Sequence, residues 1–306
     1  MTETLRPGRP AAYPSGLPKP DRCVVMGVVN VTPDSFSDGG QWFEADDAIR
    51  HGLDLAAQGA DIVDVGGEST RPGADRPSHA EESRRVLPVV RGLAEAGVTV
   101  SIDTMRASVA EAAIEAGARL INDVSGGRAD SDMLRVAAAS GHPIVLMHWR
   151  GHSADMQNRA TYDDVTGTVL AEMGPQVDAA IAAGVAGDRI IVDPGLGFAK
   201  TGEHNWTLLA ELDRIVASGF PVLVAASRKR FIGTLLADPV TGVERPPDQR
   251  DAASAALSAM IAQSGVWCVR VHDVPPTLDA VRVAARWGME MANRTRAEVG
   301  DVGQGG

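Results

Sequence analysis

Apolar residues along this chain come in eight short runs rich in valine and isoleucine, and each run ends in a polar or charged residue. A stretch of helical periodicity usually separates one run from the next. This alternation predicts a single α/β domain, a closed (β/α)8 TIM barrel. Active sites of such barrels lie at the carboxyl ends of the strands, so the pattern indicates an enzyme. The runs are 25–30, 62–68, 98–103, 120–123, 144–148, 190–193, 222–229 and 269–273.

The stretches between the runs predict helices, and several of them end in a glycine just before the next run, as helix C-caps often do. The predicted helices cover 45–58, 79–96, 107–116, 132–140, 164–183, 205–218, 250–264 and 277–293, with a short one from Phe231. Residues 22–294 are therefore predicted to form one catalytic domain. Residues 1–21, which are proline-rich, and 295–306 are predicted to be flexible tails. Loops 31–40 and 66–77 contain glycine, proline and polar residues and are predicted to be mobile.

Composition and charge limit the classes of partner that the chain is expected to bind. Its 306 residues are 44% hydrophobic, which suits a globular protein with a substantial core. The net charge of −11 argues against binding to nucleic acid or to an anionic membrane. No run approaches the roughly 18 apolar residues of a membrane span, and the polar N-terminal stretch lacks the apolar segment of a secretory signal. We therefore expect a cytoplasmic protein with small-molecule substrates.

The two cysteines, Cys23 and Cys268, precede the first and last strands, which are neighbours in a closed barrel. A disulfide between them must therefore be considered. Side chains alternate between the two faces of a strand, and this parity places Cys268 on the face of Arg270 and Cys23 on the opposite face of its own strand. Two buried free thiols are the prediction.

The same parity selects candidate site residues. If the shared faces of the strands look inward, seven polar side chains meet at the barrel mouth: Asn30, Asp103, Asn122, Asp193, Lys229, Arg270 and His272. Asp103, Asn122 and Asp193 offer hydrogen-bonding groups suited to a flat heterocycle. The others lie on strands 1, 7 and 8, where barrel enzymes often hold phosphate, and arginine forms a rigid fork for phosphate oxygens. Any one of these residues alone could equally have a structural role. Seven polar groups together are costly to bury without a ligand, so the set predicts a ligand site.

Two other chemistries are weaker interpretations. His148, His152 and His204 suggest zinc, but the first two lie at a strand end and in a loop and not on one helical face. Gly195 and Gly197 resemble half of a nucleotide-binding loop, but no GxGxxG motif opens a helix after the first strand. Neither metal coordination by histidine nor dinucleotide binding is predicted.

Seven strings, in order along the chain, resemble the dihydropteroate synthase family, the folate-pathway enzymes inhibited by sulfonamides. The resemblance covers about residues 23–290. The strings are VMGVVNVTPDSFSDGG (25–40), DVGGESTRPGA (64–74), SIDTMR (101–106), INDVSGG (121–127), DPGLGFAKT (193–201), ASRKRFIG (226–233) and VRVHDV (269–274).

This resemblance implies a homodimeric transferase that joins 6-hydroxymethyl-7,8-dihydropterin pyrophosphate to p-aminobenzoate with Mg²⁺. By motif, the implied pterin-binding residues are Asp103, Asn122, Met147, Asp193, Phe198 and Lys229. Thr70, Arg71, Pro72 and Ser227 resemble the p-aminobenzoate site. Arg270 and His272 resemble the pyrophosphate site, and Asn30 resembles the contact to both pyrophosphate and Mg²⁺. Asp103, Asp193, Lys229 and Asp38, which lies on the first loop, are the implied catalytic residues.

Two alternatives stay open on the sequence. A methyltetrahydrofolate-type methyltransferase domain would share the pterin acceptors, but it is expected to lack the ESTRPG loop and the SRK and RVH motifs that this chain carries. A catalytically silent pterin-binding paralogue is expected to have broken first and second loops, and both read intact here. One departure concerns affinity: Ala225 stands where family members commonly have glycine, and its methyl group is predicted to face the pterin.

Overall fold

Eight parallel strands form the wall of a barrel, and helices cover its outside. The structure is a computed structural model that describes residues 10–31, 41–68, 77–151 and 156–302. The strands are β1 (Val24–Asn30), β2 (Ile62–Gly66), β3 (Val100–Asp103), β4 (Leu120–Asp123), β5 (Ile144–Met147), β6 (Ile190–Asp193), β7 (Leu223–Val224) and β8 (Cys268–Val271). Their order is β6-β5-β4-β3-β2-β1-β8-β7, and a parallel bridge between Val192 and Val222 joins the two ends. The predicted TIM barrel is confirmed.

At least one helix follows each strand, as the sequence pattern predicted. They are α1 (Gln41–Ala57), α2 (His79–Glu95), α3 (Ala107–Glu115), α4 (Met133–Ser140), α5 (Val165–Ala182), α6 (Gly202–Ala210), α7 (Leu212–Val216), α8 (Arg230–Leu235), α9 (Asp251–Gln263) and α10 (Val274–Val302). The single helix predicted over 205–218 is in fact two helices, α6 and α7. The predicted C-terminal tail also needs correction, because α10 continues through most of it. Within the described residues, no helix is both long and apolar enough to cross a bilayer.

Two apolar layers result from the alternation of side chains along the strands. Inward-facing residues such as Met26, Ile62 and Ile191 fill the barrel, and outward-facing valines and isoleucines pack against the helices. Cys268 belongs to the inner layer and Cys23 to the outer one, and both are buried free thiols, as parity predicted. Burial raises the pKa of both thiols, because the thiolate is poorly solvated inside the protein.

Residues 10–20 close the amino-terminal end of the barrel, which corrects the predicted tail over this part. Leu17 is 6% exposed and packs with Trp267 in the inner layer. Hydrogen bonds from the Ala11 N–H to the Gly265 carbonyl and from the Ser15 N–H to the Asp188 carbonyl, both 2.9 Å, hold the segment in place. Its prolines prevent a helix but leave an extended chain that can lie across the barrel floor.

We expect Leu17→Ala to lower the free energy of unfolding by about 2 kcal/mol, because a buried leucine that closes the barrel leaves a cavity when truncated. Urea denaturation followed by circular dichroism measures this change. Lys19→Ala, at an exposed position two residues along, is the control and should shift the free energy of unfolding by less than about 0.5 kcal/mol. Equal effects of the two substitutions would show that this segment does not close the core.

Candidate active site

The strand ends bring five of the predicted residues into the carboxyl-terminal mouth of the barrel. Asp103 ends β3, Asn122 lies in β4, Asp193 ends β6, Arg270 lies in β8 and Met147 ends β5. Asn122, Asp193 and Met147 are almost fully buried, and Asp103 and Arg270 are partly exposed. The mouth is therefore a polar pocket over an apolar barrel floor.

Arg270 is the centre of one half of this pocket. Its Nε donates to Asp64 Oδ2 at 2.7 Å, and its Nη2 donates to Asp103 Oδ2 at 2.8 Å. Asn122 Nδ2 also donates to Asp64 Oδ2, at 3.0 Å. Burial raises the pKa of Asp103 to about 7, although the positive charge of Arg270 opposes the shift and the charge of Asp64 adds to it. One guanidinium therefore holds two carboxylates from neighbouring strands.

Asp64 was missed in the sequence analysis. It is fully buried in the middle of β2 and faces Ser101 of β3 across the sheet. The predicted site residues stand at the ends of apolar runs, whereas Asp64 stands inside one. Its signal was its parity: it lies two residues after Ile62, which faces the barrel interior. A buried carboxylate at an inward position needs a cation, and Arg270 is that cation.

Asp193 and Lys229 form the other half. The Gly195 N–H donates to Asp193 Oδ1 at 2.7 Å. Lys229 Nζ donates to the Leu196 carbonyl and lies 4.8 Å from the centre of the Phe198 ring. Burial raises the pKa of Asp193, while the nearby Lys229 charge works to lower it. Burial also lowers the pKa of Lys229 to about 8, against the opposing effect of Asp193.

The segment after β7 reaches the mouth by a route that parity did not describe. The predicted strand through Lys229 is wrong beyond Val224, and Arg228 has a positive φ of 60°. Ser227 Oγ nevertheless lies 3.1 Å from His272 Nδ1, inside the mouth. Arg228 points away from it and donates twice to Asp251 at 2.7 Å. The turn thus sorts these side chains as predicted, through a bend and not through strand alternation.

One predicted residue lies apart from this cluster. Asn30 ends β1 and is exposed at the rim. Four others lie outside the described residues: Asp38, Thr70, Arg71 and Pro72. Within the described ranges, no three histidine, cysteine, aspartate or glutamate side chains are placed to hold a metal ion.

Comparison with known proteins shows the family of this chain. The family model described as "Pterin binding enzyme" matches residues 26–272. The dihydropteroate synthase of Mycobacterium leprae (strain TN) is 55% identical over 264 residues, which are 86% of this chain and 93% of that protein. The chain belongs to the dihydropteroate synthase family.

Solved structures of this family share the fold. The dihydropteroate synthase of Xanthomonas albilineans with 4-aminobenzoic acid is 45% identical, with a TM-score of 0.80 over 89% of this chain and 94% of that one. The Yersinia pestis dihydropteroate synthase in a sulfonamide drug complex is 39% identical, with a TM-score of 0.81 over 92% and 98% of the two chains. Family and fold are therefore consistent along nearly the whole chain.

We expect Asp64→Asn to lower the free energy of unfolding by about 3 kcal/mol, because it removes a charge that compensates a buried arginine. Asp251→Asn is the matched control: it removes the carboxylate charge that pairs with Arg228, also at 2.7 Å, at a more exposed site. Its expected loss is below about 1 kcal/mol. Denaturant unfolding of both variants measures the difference, and equal losses would contradict the view that Asp64 is the essential partner of Arg270.

Proposed function

We propose that this dihydropteroate synthase family member joins 6-hydroxymethyl-7,8-dihydropterin pyrophosphate to p-aminobenzoate, releasing pyrophosphate and 7,8-dihydropteroate. The observation that carries the proposal is the mouth itself, where acceptors and an amide lie beside a cationic group. A flat pterin displays ring N–H and carbonyl groups, and Asp103, Asn122 and Asp193 offer complementary partners. Met147 and Phe198 supply apolar walls for the ring.

We assign the pyrophosphate leaving group to the side of the mouth that β8 and β1 form. Arg270 has a fork of N–H donors, of which two already bind carboxylates. His272 follows directly after the end of the same strand. The remaining N–H bonds of Arg270 can donate to pyrophosphate oxygens, since guanidinium binds carboxylate and phosphate in similar geometry. Arg270 would then stabilise the charge that accumulates on the departing oxygen.

Bond breaking precedes bond making in the proposed mechanism. The pterin methylene–oxygen bond breaks with its electron pair on pyrophosphate, and the cation spreads into the ring. The carboxylates of Asp193 and Asp103 stabilise that cation. The aniline nitrogen of p-aminobenzoate then attacks the methylene and loses a proton, so no protein nucleophile is required. Ser227 and Lys229 are assigned to the p-aminobenzoate side.

Four residues implied by the family motifs complete the proposal from outside the described part of the chain. Thr70, Arg71 and Pro72 are assigned to p-aminobenzoate, and Asp38 to closure over the reacting centre. Loops that exclude water would protect the cation from hydrolysis. These assignments rest on the motifs alone.

Mg²⁺ fits the pocket as an ion shared with the substrate. Asn30 offers one amide oxygen at the rim, and no carboxylate or histidine cluster lies in the described residues. Mg²⁺ commonly keeps several waters and is bound by one or two protein oxygens together with substrate phosphates. Bound to Asn30 and pyrophosphate, the ion would supply positive charge to the departing oxygens. The cytoplasmic location expected from the sequence stays a prediction.

Pyrophosphate release by purified protein with Mg²⁺ and dihydropterin pyrophosphate should require p-aminobenzoate and yield dihydropteroate. Asp193→Asn should lower turnover about 100-fold without unfolding the protein, because it removes the charge that stabilises the cation. Asp213→Asn, at an exposed position on α7, is the control and should keep the wild-type rate. Pterin binding without turnover in the wild type would favour the silent paralogue. Wild-type rates in Asp193→Asn would remove Asp193 from the mechanism.

We further propose that the protein is a homodimer joined through α10. Val283, Trp287 and Met291 form a strip of exposed apolar side chains along this helix, and Trp287 is 65% exposed. Met260, on the adjoining α9, is also exposed. Arg282, Arg286 and Glu290 line the groove around the strip, and Arg286 pairs with Glu290 at 2.5 Å. An apolar strip with a charged rim suits a symmetric contact between copies.

Sedimentation velocity should give twice the 32.0 kDa mass of one chain for the wild-type protein. Trp287→Glu should shift the protein to the monomer, because it places a charge in the middle of the strip. Val240→Glu, at a site 91% exposed after α8, should stay dimeric. A wild-type monomer would contradict the proposed dimer, and a dimeric Trp287→Glu variant would place the interface elsewhere.

A further inference from the structure

Lys200 is a buried cation whose hydrogen-bond partners are all neutral. It is 3% exposed and lies just before the first turn of α6. Its Nζ contacts His148 Nδ1 at 2.9 Å, the Gly195 carbonyl at 3.0 Å and the Phe198 carbonyl at 3.1 Å. An ammonium group has three N–H bonds, and three acceptors satisfy them. Burying it is costly, so the position calls for an explanation.

Lysine is rare in this chain, so its use at a buried position is unusual. Of 29 lysine and arginine residues, only Lys19, Lys200 and Lys229 are lysine. Lys19 is exposed, and the other two lie at the edge of the mouth beside Asp193. In a chain that otherwise uses arginine, a compact ammonium at these two sites indicates that a guanidinium does not suit them.

The two carbonyls that Lys200 binds belong to a turn of unusual backbone. Gly195, Gly197 and Ala199 all have positive φ, which is unfavourable for alanine. A side chain at Gly195 would come within 2.6 Å of the His148 carbonyl. Such a turn needs support from its surroundings. Lys200 supplies it, together with the Tyr162 hydroxyl, which donates to the Ala199 carbonyl at 3.0 Å.

The same turn positions three groups of the pocket. Its Gly195 N–H holds the Asp193 carboxylate, its Leu196 carbonyl holds Lys229, and it carries the Phe198 ring. Lys200 binds the carbonyls at both ends of the turn, of Gly195 and Phe198. A shift of the ammonium would therefore move Asp193, Lys229 and Phe198 together.

A chain of contacts behind Lys200 fixes its own position. His148 Nε2 lies 2.9 Å from Glu172 Oε2, and Arg150 donates to both oxygens of that carboxylate. With Nε2 protonated toward Glu172, Nδ1 is the acceptor that faces Lys200. Burial and the Lys200 charge lower the pKa of His148 to about 3, which keeps the ring neutral and able to accept.

We propose that Lys200 is a positioning residue of the pterin pocket, which holds the Gly195–Phe198 turn from behind and supplies a second positive charge to Asp193. This inference rests on the proposed pterin site. Lys229, Lys200 and Arg270 are the cations that stabilise the Asp193 anion. Burial lowers the pKa of Lys200 to about 7; the Asp193 charge opposes this shift, and the charges of Lys229 and Arg150 add to it. Below that pH the ammonium is charged.

Two substitutions separate the hydrogen bonds of Lys200 from its charge. Lys200→Met removes both, and Lys200→Gln keeps two N–H donors without charge. Calorimetry with 6-hydroxymethylpterin as the probe should show about 10- to 100-fold weaker binding for Lys200→Met, with a smaller loss for Lys200→Gln. In both variants the acid limb of binding should move to higher pH, because losing a nearby cation raises the pKa of Asp193. Lys19→Met should behave as wild type.

A purely structural lysine would give a different result. General damage to the barrel would weaken binding but leave the acid limb in place, and wild-type affinity in Lys200→Met would also overturn the proposal. The binding assay needs no turnover, so it stays informative if the synthase reaction itself fails. A wild-type protein that does not bind the pterin would instead overturn the proposed function.

Nuclear magnetic resonance of lysine labelled with ¹³C at Cε covers the case in which the variants do not fold. Only three signals are expected, one for each lysine. The Lys200 signal should titrate near neutral pH and shift when 6-hydroxymethylpterin is added, while the Lys19 signal should not move when the pterin is added. A Lys200 signal that ignores the pterin would overturn the proposal.

Discussion

The pairing of charges inside a closed barrel is the constraint on which the pocket depends. Arg270 binds Asp64 and Asp103 at once, and it is the cation that allows both carboxylates to lie against the barrel floor. Without it, two neighbouring buried carboxylates would repel each other and lose their hydration. The residue assigned to the leaving group is therefore also the residue that holds the pterin side of the pocket together.

The opposite wall of the pocket also pairs a buried carboxylate with cations, but the cations there are lysines. Asp193 is balanced by Lys229 and Lys200, and both ammonium groups bind backbone carbonyls of one turn. Peptide dipoles thus take part of the role that carboxylates have around Arg270. The two walls differ in consequence: an arginine that holds two carboxylates can still donate its remaining N–H bonds to phosphate oxygens, whereas lysines bound to backbone carbonyls keep the turn in place.

The apolar closure of the barrel and the polar pocket occupy opposite ends of the barrel. The amino-terminal floor is closed by Leu17 and Trp267, which are apolar and buried. The polar strand ends lie at the other end. An apolar floor preserves the geometry of the strand ends, so the pocket can be preorganised before any loop closes over it.

The alternation of side chains along the strands could be predicted from the sequence because it follows from local backbone geometry: successive side chains point to opposite faces. The sequence alone determined the eight βα units, the inward placement of Asp103, Asn122, Asp193 and Arg270, and the separation of the two cysteines. The family motifs added the reaction. Tertiary structure decided the features that do not follow from strand alternation. The bend after Val224, the turn that Lys200 supports and the floor made by residues 10–20 all depend on contacts between segments far apart in the chain. Asp64 belongs to both groups, because its parity was visible but its need for Arg270 arises only when the barrel closes and removes both from water.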